Sequence, residues 1–161
     1  MRGEEEVVQA IERYGDTVVR LCMVYLGNRA DADDVFQTVM LRYALSETSF
    51  EDAEHEKAWV IRVAINACKD MLKSAARNRS TSLEAASSVP ADVSEKHQEV
   101  LDAVMALPEK YRDVIYLHYY EGYTAPEIGK LLGKNLNTVY TLLRRARKRL
   151  EKELGGEGNG A

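Results

Sequence analysis

From Glu4 to Leu26 the apolar residues Val7, Ile11, Tyr14, Val18, Leu21 and Tyr25 return every three or four positions. That spacing predicts an amphipathic helix with one buried stripe. The "LGNR" break at Gly27 and Asn28 ends it. A second helix runs to about Leu45, with Asp31 expected as its cap, Asp33 and Asp34 suited to its positive end, and Val35, Phe36, Val39 and Tyr43 turned inward. Ser46 to Glu56 is polar and reads as a loop with at most a short turn. A third helix follows from about Lys57 to Arg77, with Trp59, Val60, Val63, Ala64, Ala67 and Met71 on its apolar side.

The period then stops. Arg79 to Ser94 is rich in serine and alanine, holds Pro90 and predicts a flexible linker. Helical spacing resumes near Glu95 and is interrupted by Pro108. "EKYRDVIYLHYYEG" predicts a helix closed by Gly122, with Leu107, Tyr111, Val114, Ile115, Leu117 and His118 packed inward. "TAPE" has the spacing of a capping box between Thr124 and Glu127, and Pro126 falls in the first turn, where its missing N–H is harmless. Ile128, Leu131 and Leu132 face the core, Gly133 ends a short helix, "KNLN" turns, and Asn137 starts a last helix. No strand period occurs. The chain is therefore expected to be all-α, with helical domains at 1–79 and 95–161 joined by a flexible linker at 80–94.

Composition changes the picture through the distribution of charge. The net charge is −4. Residues 1–56 hold five Lys/Arg against thirteen Asp/Glu, residues 57–80 six against one, residues 81–127 three against nine, and residues 128–161 eight against three. Two basic blocks, each on a helical pattern, thus stand in an acidic chain, as two contacts with a polyanion require. No apolar stretch is long enough for a membrane span. The acidic start "MRGEEEVVQA" lacks the apolar core of a secretory leader. Cys22 and Cys68 show no metal-ligand spacing and read as two buried free thiols, and His55, His97 and His118 form no catalytic pattern.

Three outward faces carry the candidate chemistry. In "NTVYTLLRRARKRL", Val139, Leu142, Leu143, Ala146 and Leu150 make the apolar stripe. With the preceding short helix and glycine turn this is a helix-turn-helix pattern. Asn137, Thr138, Tyr140 and Thr141 are placed to meet base edges in a major groove, and Arg144, Arg145 and Lys148 to hold phosphates. On the third helix, Arg62, Asn66, Lys69, Asp70, Lys73 and Arg77 share one side, a cationic stripe suited to a nucleic-acid strand. The adjoining loop Ser46–His55 suits an unstacked base, with Phe50 its anchor. On the second helix, Asp34, Gln37, Thr38 and Leu41 share an outer side, where an exposed leucine among polar groups suits a protein contact. Asp33 and Asp34 do not make a Mg²⁺ site: neighbours on a helix point 100° apart and no third carboxylate joins them. No cofactor, metal or enzymatic centre is expected.

These residues in this order resemble a small bacterial sigma factor of the extracytoplasmic-function (ECF) type. "YGDTVVRLCMVYLGNRADADDVFQTVMLR" and "KAWVIRVAINACKDMLKSAAR" are similar to sigma region two, and "LPEKYRDVIYLHYYEGYTAPEIGKLLGKNLNTVYTLLRRARKRL" to region four. The resemblance implies a cytoplasmic, non-enzymatic factor that binds core RNA polymerase and promoter DNA. Asp34, Gln37 and Leu41 would meet the clamp of the largest polymerase subunit. Asn66, Lys69, Asp70 and Lys73 would hold the melted minus-ten strand. Asn137 through Arg145 would lie in the minus-thirty-five major groove. By family analogy alone, an inhibitory anti-sigma factor is a further partner.

Two departures from the family pattern bear on which promoter is read. Tyr140 and Leu142 stand where relatives often carry lysine or serine and then arginine. Lys134 occupies a position that is commonly apolar, with Leu136 expected to fill that role two residues later. The alternative reading is a free-standing helix-turn-helix regulator, which would need a sensing pocket or dimer seam in the N-terminal helices.

Overall fold

The first two helices form because their apolar stripes close on each other. In the computed structural model, which describes residues 1–77 and 95–155, α1 spans Glu4–Leu26, α2 Arg29–Leu45 and α3 Ala53–Arg77. α1 buries Ala10, Tyr14, Val18, Leu21, Cys22 and Tyr25; α2 adds Val35, Val39, Met40 and Tyr43; α3 adds Val60, Ile61, Ala64, Ile65 and Cys68. No strand occurs among the described residues. The chain divides into two compact units between Val89 and Pro90. The linker expected at 80–94 lies outside the described residues, and of Arg77 only the backbone is described.

Several expectations shift by a fraction of a turn. Ile11 is 39% exposed, because the stripe runs through Ala10, Tyr14 and Val18 at strict four-residue steps and Ile11 sits 100° away. α2 is capped by Asn28, not Asp31: the Asn28 side-chain oxygen accepts from the Asp31 amide at 2.8 Å, so the helix begins at Arg29. Asp31 becomes a first-turn acid, held by the Asn28 side-chain amide at 2.9 Å. α3 begins at Ala53, earlier than Lys57, because Asp52 accepts from the His55 amide at 2.9 Å. Its buried seam runs through Ile61, Ile65 and Cys68, while Trp59, Val63 and Met71 are half-buried. Cys22 and Cys68 are free and buried as expected, with their sulfurs 3.7 Å apart.

One carboxylate ties the three helices together. Glu56, in the first turns of α3, accepts from Arg13 Nη1 at 2.8 Å and the Tyr14 hydroxyl at 2.8 Å on one oxygen, and from the Tyr43 hydroxyl at 2.6 Å on the other. Burial pushes its pKa up, but the hydrogen bonds from Tyr43 and Tyr14 and the charges of Arg13 and Arg2 outweigh that, so the net shift is downward. Tyr43 is pushed up, first by burial and then by Glu56.

In the second unit α4 covers Glu95–Met105, α5 Glu109–Ile115, α6 Ala125–Leu132 and α7 Leu136–Gly155. A π-helical turn, Tyr116–Tyr120, prolongs α5. Leu107, Tyr111, Val114, Ile115 and Leu117 are buried as the spacing indicated, and His118 is half-buried, its Nδ1 2.9 Å from the Tyr123 carbonyl. α7 packs on α4, α5 and α6. Arg112 and Asp113, which the apolar spacing did not place in the core, are buried. Arg112 donates to the carbonyls of Met105 at 2.7 Å and Leu107 at 3.1 Å, satisfying acceptors left open where α4 stops before Pro108.

Replacing Glu56 by alanine strands two buried tyrosine hydroxyls and is expected to cost about 2–4 kcal/mol. Trp59, the one tryptophan of the chain, reports the loss as an earlier fluorescence transition in urea. Because the folded Glu56 pKa lies below the ordinary 4.5, the unfolded chain takes up the proton first as pH falls. The carboxylate's contribution is complete above that ordinary value and is lost as pH falls through the lowered folded one. Acid should therefore narrow the gap between wild type and Glu56→Gln.

Candidate nucleic-acid interface

The α6–α7 pair of the second unit is set by two turns. Thr124 caps α6: its hydroxyl accepts from the Glu127 amide at 3.3 Å, and Glu127 accepts in return from the Thr124 amide at 2.9 Å. Gly133, at φ +71°, ends α6 in the left-handed conformation. Gly129 makes the turn tight: a Cβ there would lie 2.7 Å from the Lys134 carbonyl oxygen. The Asn135 side chain accepts from the Thr138 amide at 2.8 Å, so α7 begins at Leu136, ahead of Asn137. Leu136 is 42% exposed in that first turn and does not fill the apolar role expected of it.

α7 then sorts its side chains. Val139, Leu142, Leu143 and Ala146 are buried and Leu150 is half-buried. Asn137, Thr138, Arg144, Arg145 and Lys148 are exposed, Tyr140 is 52% exposed, and Thr141 is half-buried beside them. With Leu142 inside the core, Tyr140 is the family departure on the presented side. The first turn carries no acidic residue to oppose a phosphate. The five cations of "RRARKR" divide. Arg147 donates to the Tyr119 hydroxyl at 3.0 Å and Arg149 lies 5.0 Å over the Tyr111 ring. Arg144, Arg145 and Lys148 make no ion pair among the described residues and project outward.

On α3 of the first unit, Arg62, Asn66, Asp70 and Lys73 are exposed along one side and Lys69 is half-buried among them. Above the N-terminal end of that helix, the α2–α3 loop is folded onto an aromatic cluster. The Phe50 ring lies 6.4 Å from Tyr43, 5.7 Å from Trp59 and 5.3 Å from His55. An open cleft of about 630 Å³ runs beside it, lined by Arg2, Glu6, Thr48, Ser49, Phe50 and Asp52 among others. Arg2 lies outside the faces expected from the spacing, because its partners Tyr43 and Thr48 are 41 and 46 residues away.

The outer side of α2 presents Asp34, Gln37 and Leu41, the last 60% exposed. Thr38 is half-buried, its hydroxyl donating to the Asp34 carbonyl at 3.2 Å. Leu45, one turn further, extends the exposed apolar strip. Asp33 pairs with Arg29 at 3.0 Å, and among the described residues no group of three His, Cys, Asp or Glu is placed to hold a metal. No described helix is long and apolar enough to cross a membrane.

Comparison with known families decides what these faces belong to. Residues 10–78 match Sigma-70 region 2 and residues 97–150 match Sigma-70 region 4. The chain belongs to the sigma-70 family, in its ECF group. It is 28% identical to the ECF RNA polymerase sigma factor SigW of Bacillus subtilis, an alignment spanning 95% of this chain and 91% of that one. It is 30% identical to the ECF sigma factor SigE of Mycolicibacterium smegmatis over 91% of this chain and 60% of that one. The sigma factor RpoE of Bartonella quintana, crystallised with the anti-sigma factor NepR, shares the fold: TM-score 0.79, 19% identity, covering 96% of this chain and 99% of that one. As an RNA polymerase sigma factor the chain acts in promoter recognition. The free-standing regulator reading gives way to that. α1–α3 lie almost wholly within region 2, and α5–α7 within region 4 but for the end of α7.

A methyl group at Gly129 has no room to form without moving the Lys134 backbone. Gly129→Ala is expected to cost this sigma factor's helix-turn-helix about 2 kcal/mol. Amide exchange should then quicken in α6 and α7 and stay unchanged in α1–α3. Unaltered protection in α6 and α7 would show that the turn absorbs the methyl.

Proposed function

We propose that the three outward faces divide the work of initiation. The exposed side of α7 enters the major groove of the upstream promoter element, with Asn137, Thr138, Tyr140 and Thr141 at base edges and Arg144, Arg145 and Lys148 on phosphates. The α3 stripe of Arg62, Asn66, Lys69, Asp70 and Lys73 tracks the separated minus-ten strand, continuing to Arg77, and the α2–α3 loop receives an unstacked base. Asp34, Gln37, Thr38 and Leu41 dock onto core RNA polymerase. The chain contributes no catalysis of its own and works in the cytoplasm, where polymerase does the chemistry. An anti-sigma factor, as in the Bartonella complex, would act by covering these faces. Domain limits of 1–79 and 95–161 follow from the same reading.

The observation that carries the proposal is the sorting of the α7 cations. Arg147 and Arg149, at the two flanks of the buried stripe, contact tyrosines of their own unit, while Arg144, Arg145 and Lys148 are exposed on the side away from that stripe. A merely solvated helix has no need of that partition.

Reconstitution with core polymerase and run-off transcription from a genomic library tests the whole. Specific start sites are expected, and they reveal the promoter sequence; transcripts no different from those of core enzyme alone would refute it. Gln37→Ala with Leu41→Ala should weaken polymerase binding by roughly 1–3 kcal/mol, with binding of the upstream element by the free protein unchanged. Arg145→Ala should weaken upstream-duplex binding and lower the slope of log affinity against log salt by about 1.

A further inference from the structure

The α2–α3 loop has no regular structure from Ser46 to Asp52, yet its path is fixed. Within the loop the Thr48 amide donates to the Ser46 hydroxyl at 3.0 Å. The Glu51 amide donates to His55 Nδ1 at 3.1 Å, and Phe50 packs against Tyr43, His55 and Trp59. Further restraint comes from Arg2, more than forty residues before the loop. The Arg2 amide donates to the Ala44 carbonyl at 2.8 Å, near the end of α2. Its guanidinium donates from Nε to the Tyr43 carbonyl at 2.9 Å, from Nη2 to the Thr48 carbonyl at 2.6 Å, and from Nη1 to Glu6 at 2.9 Å. The same group lies 4.5 Å over the Tyr43 ring and 5.1 Å over the Phe50 ring. One side chain thus joins α1, the end of α2 and the loop, and it forms part of the wall of the cleft beside Phe50.

A planar fork is needed for this. Lysine offers a single rotating point charge and cannot meet two carbonyls and a carboxylate while lying flat on two rings. Each guanidinium nitrogen already donates inside the fold, and the side chain is only 11% exposed. Arg2 is therefore poorly placed to bind phosphate itself; its effect passes through the loop.

We infer that Arg2 is a positioning residue for promoter melting, setting the shape of the Ser46–Asp52 loop that receives the unstacked base. The inference rests on the loop role proposed above. Without the guanidinium, Thr48 loses its hydrogen bond and Phe50 its covering cation, and a loop with more shapes open to it must be ordered when the strand binds.

The test uses the whole 161-residue chain assembled with core polymerase. The probe is the start site recovered by run-off selection, made as a premelted template with each base in turn at every unpaired non-template position. Wild type should prefer one base at one position or more. Arg2→Ala should lose about tenfold in affinity for the preferred template and flatten the preference, and Arg2→Lys should behave like Arg2→Ala despite its retained charge. Polymerase affinity and protection of the upstream element should not change, and these exclude general unfolding. Wild-type preference retained in both variants would overturn the role of Arg2 and leave the loop reading standing. Absence of any base preference in wild type would overturn the loop reading and this inference together.

Discussion

Glu56 is the one charge on which the first unit's geometry depends. A carboxylate near the protein interior is costly unless donors surround it. Here the donors come from α1, through Arg13 and Tyr14, and from α2, through Tyr43. Meeting that requirement constrains how α3 is rotated against α1 and α2. The rotation sends Ile61, Ile65 and Cys68 inward, and so leaves Arg62, Asn66, Asp70 and Lys73 outward. The cationic stripe is thus set by an anion on the other side of the same helix. Arg112 plays the matching part in the second unit, where buried N–H groups close the open carbonyls at the end of α4.

Charge is partitioned along the whole chain. The net is −4, so the protein as a whole has no general attraction for duplex DNA. The attraction is concentrated on α3 and α7, where it acts within about a Debye length, ~8 Å at physiological salt. Acidic surroundings make such faces selective: a nonspecific approach by another part of the molecule is repelled. A factor that must find its site through polymerase gains from that. In the proposed division of labour, polymerase contact would fall to the outer side of α2, where Leu41 and Leu45 expose apolar area beside Asp34 and Gln37.

The α2–α3 connection shows how an irregular segment becomes a defined surface. Phe50 enters an aromatic set made by Tyr43, His55 and Trp59, and Arg2 closes over it. Backbone carbonyls that a regular element would satisfy internally are here satisfied by a side chain from near the start of α1. The segment can therefore stay irregular, with Glu47, Ser49 and Glu51 exposed, and still hold one path.

The sequence was enough for the helices, the Thr124–Glu127 capping box and the outward side of α7, because each follows from contacts within four residues of the chain. The α3 stripe was legible for the same reason. What it left open were matters of rotation and of long-range pairing. Ile11 looked buried because three- and four-residue steps were both allowed, and only packing against α2 and α3 chose between them. Asp31 looked like the cap of α2, but Asn28, directly after Gly27, reaches the Asp31 amide and takes that place. Leu136 looked like core, but the Asn135 cap set it on the first exposed turn. Glu56 and Arg2 gave no local signal, since their partners lie up to 46 residues away. Only the tertiary structure could bring those groups together, because the desolvation that makes their hydrogen bonds necessary does not exist until the helices have packed.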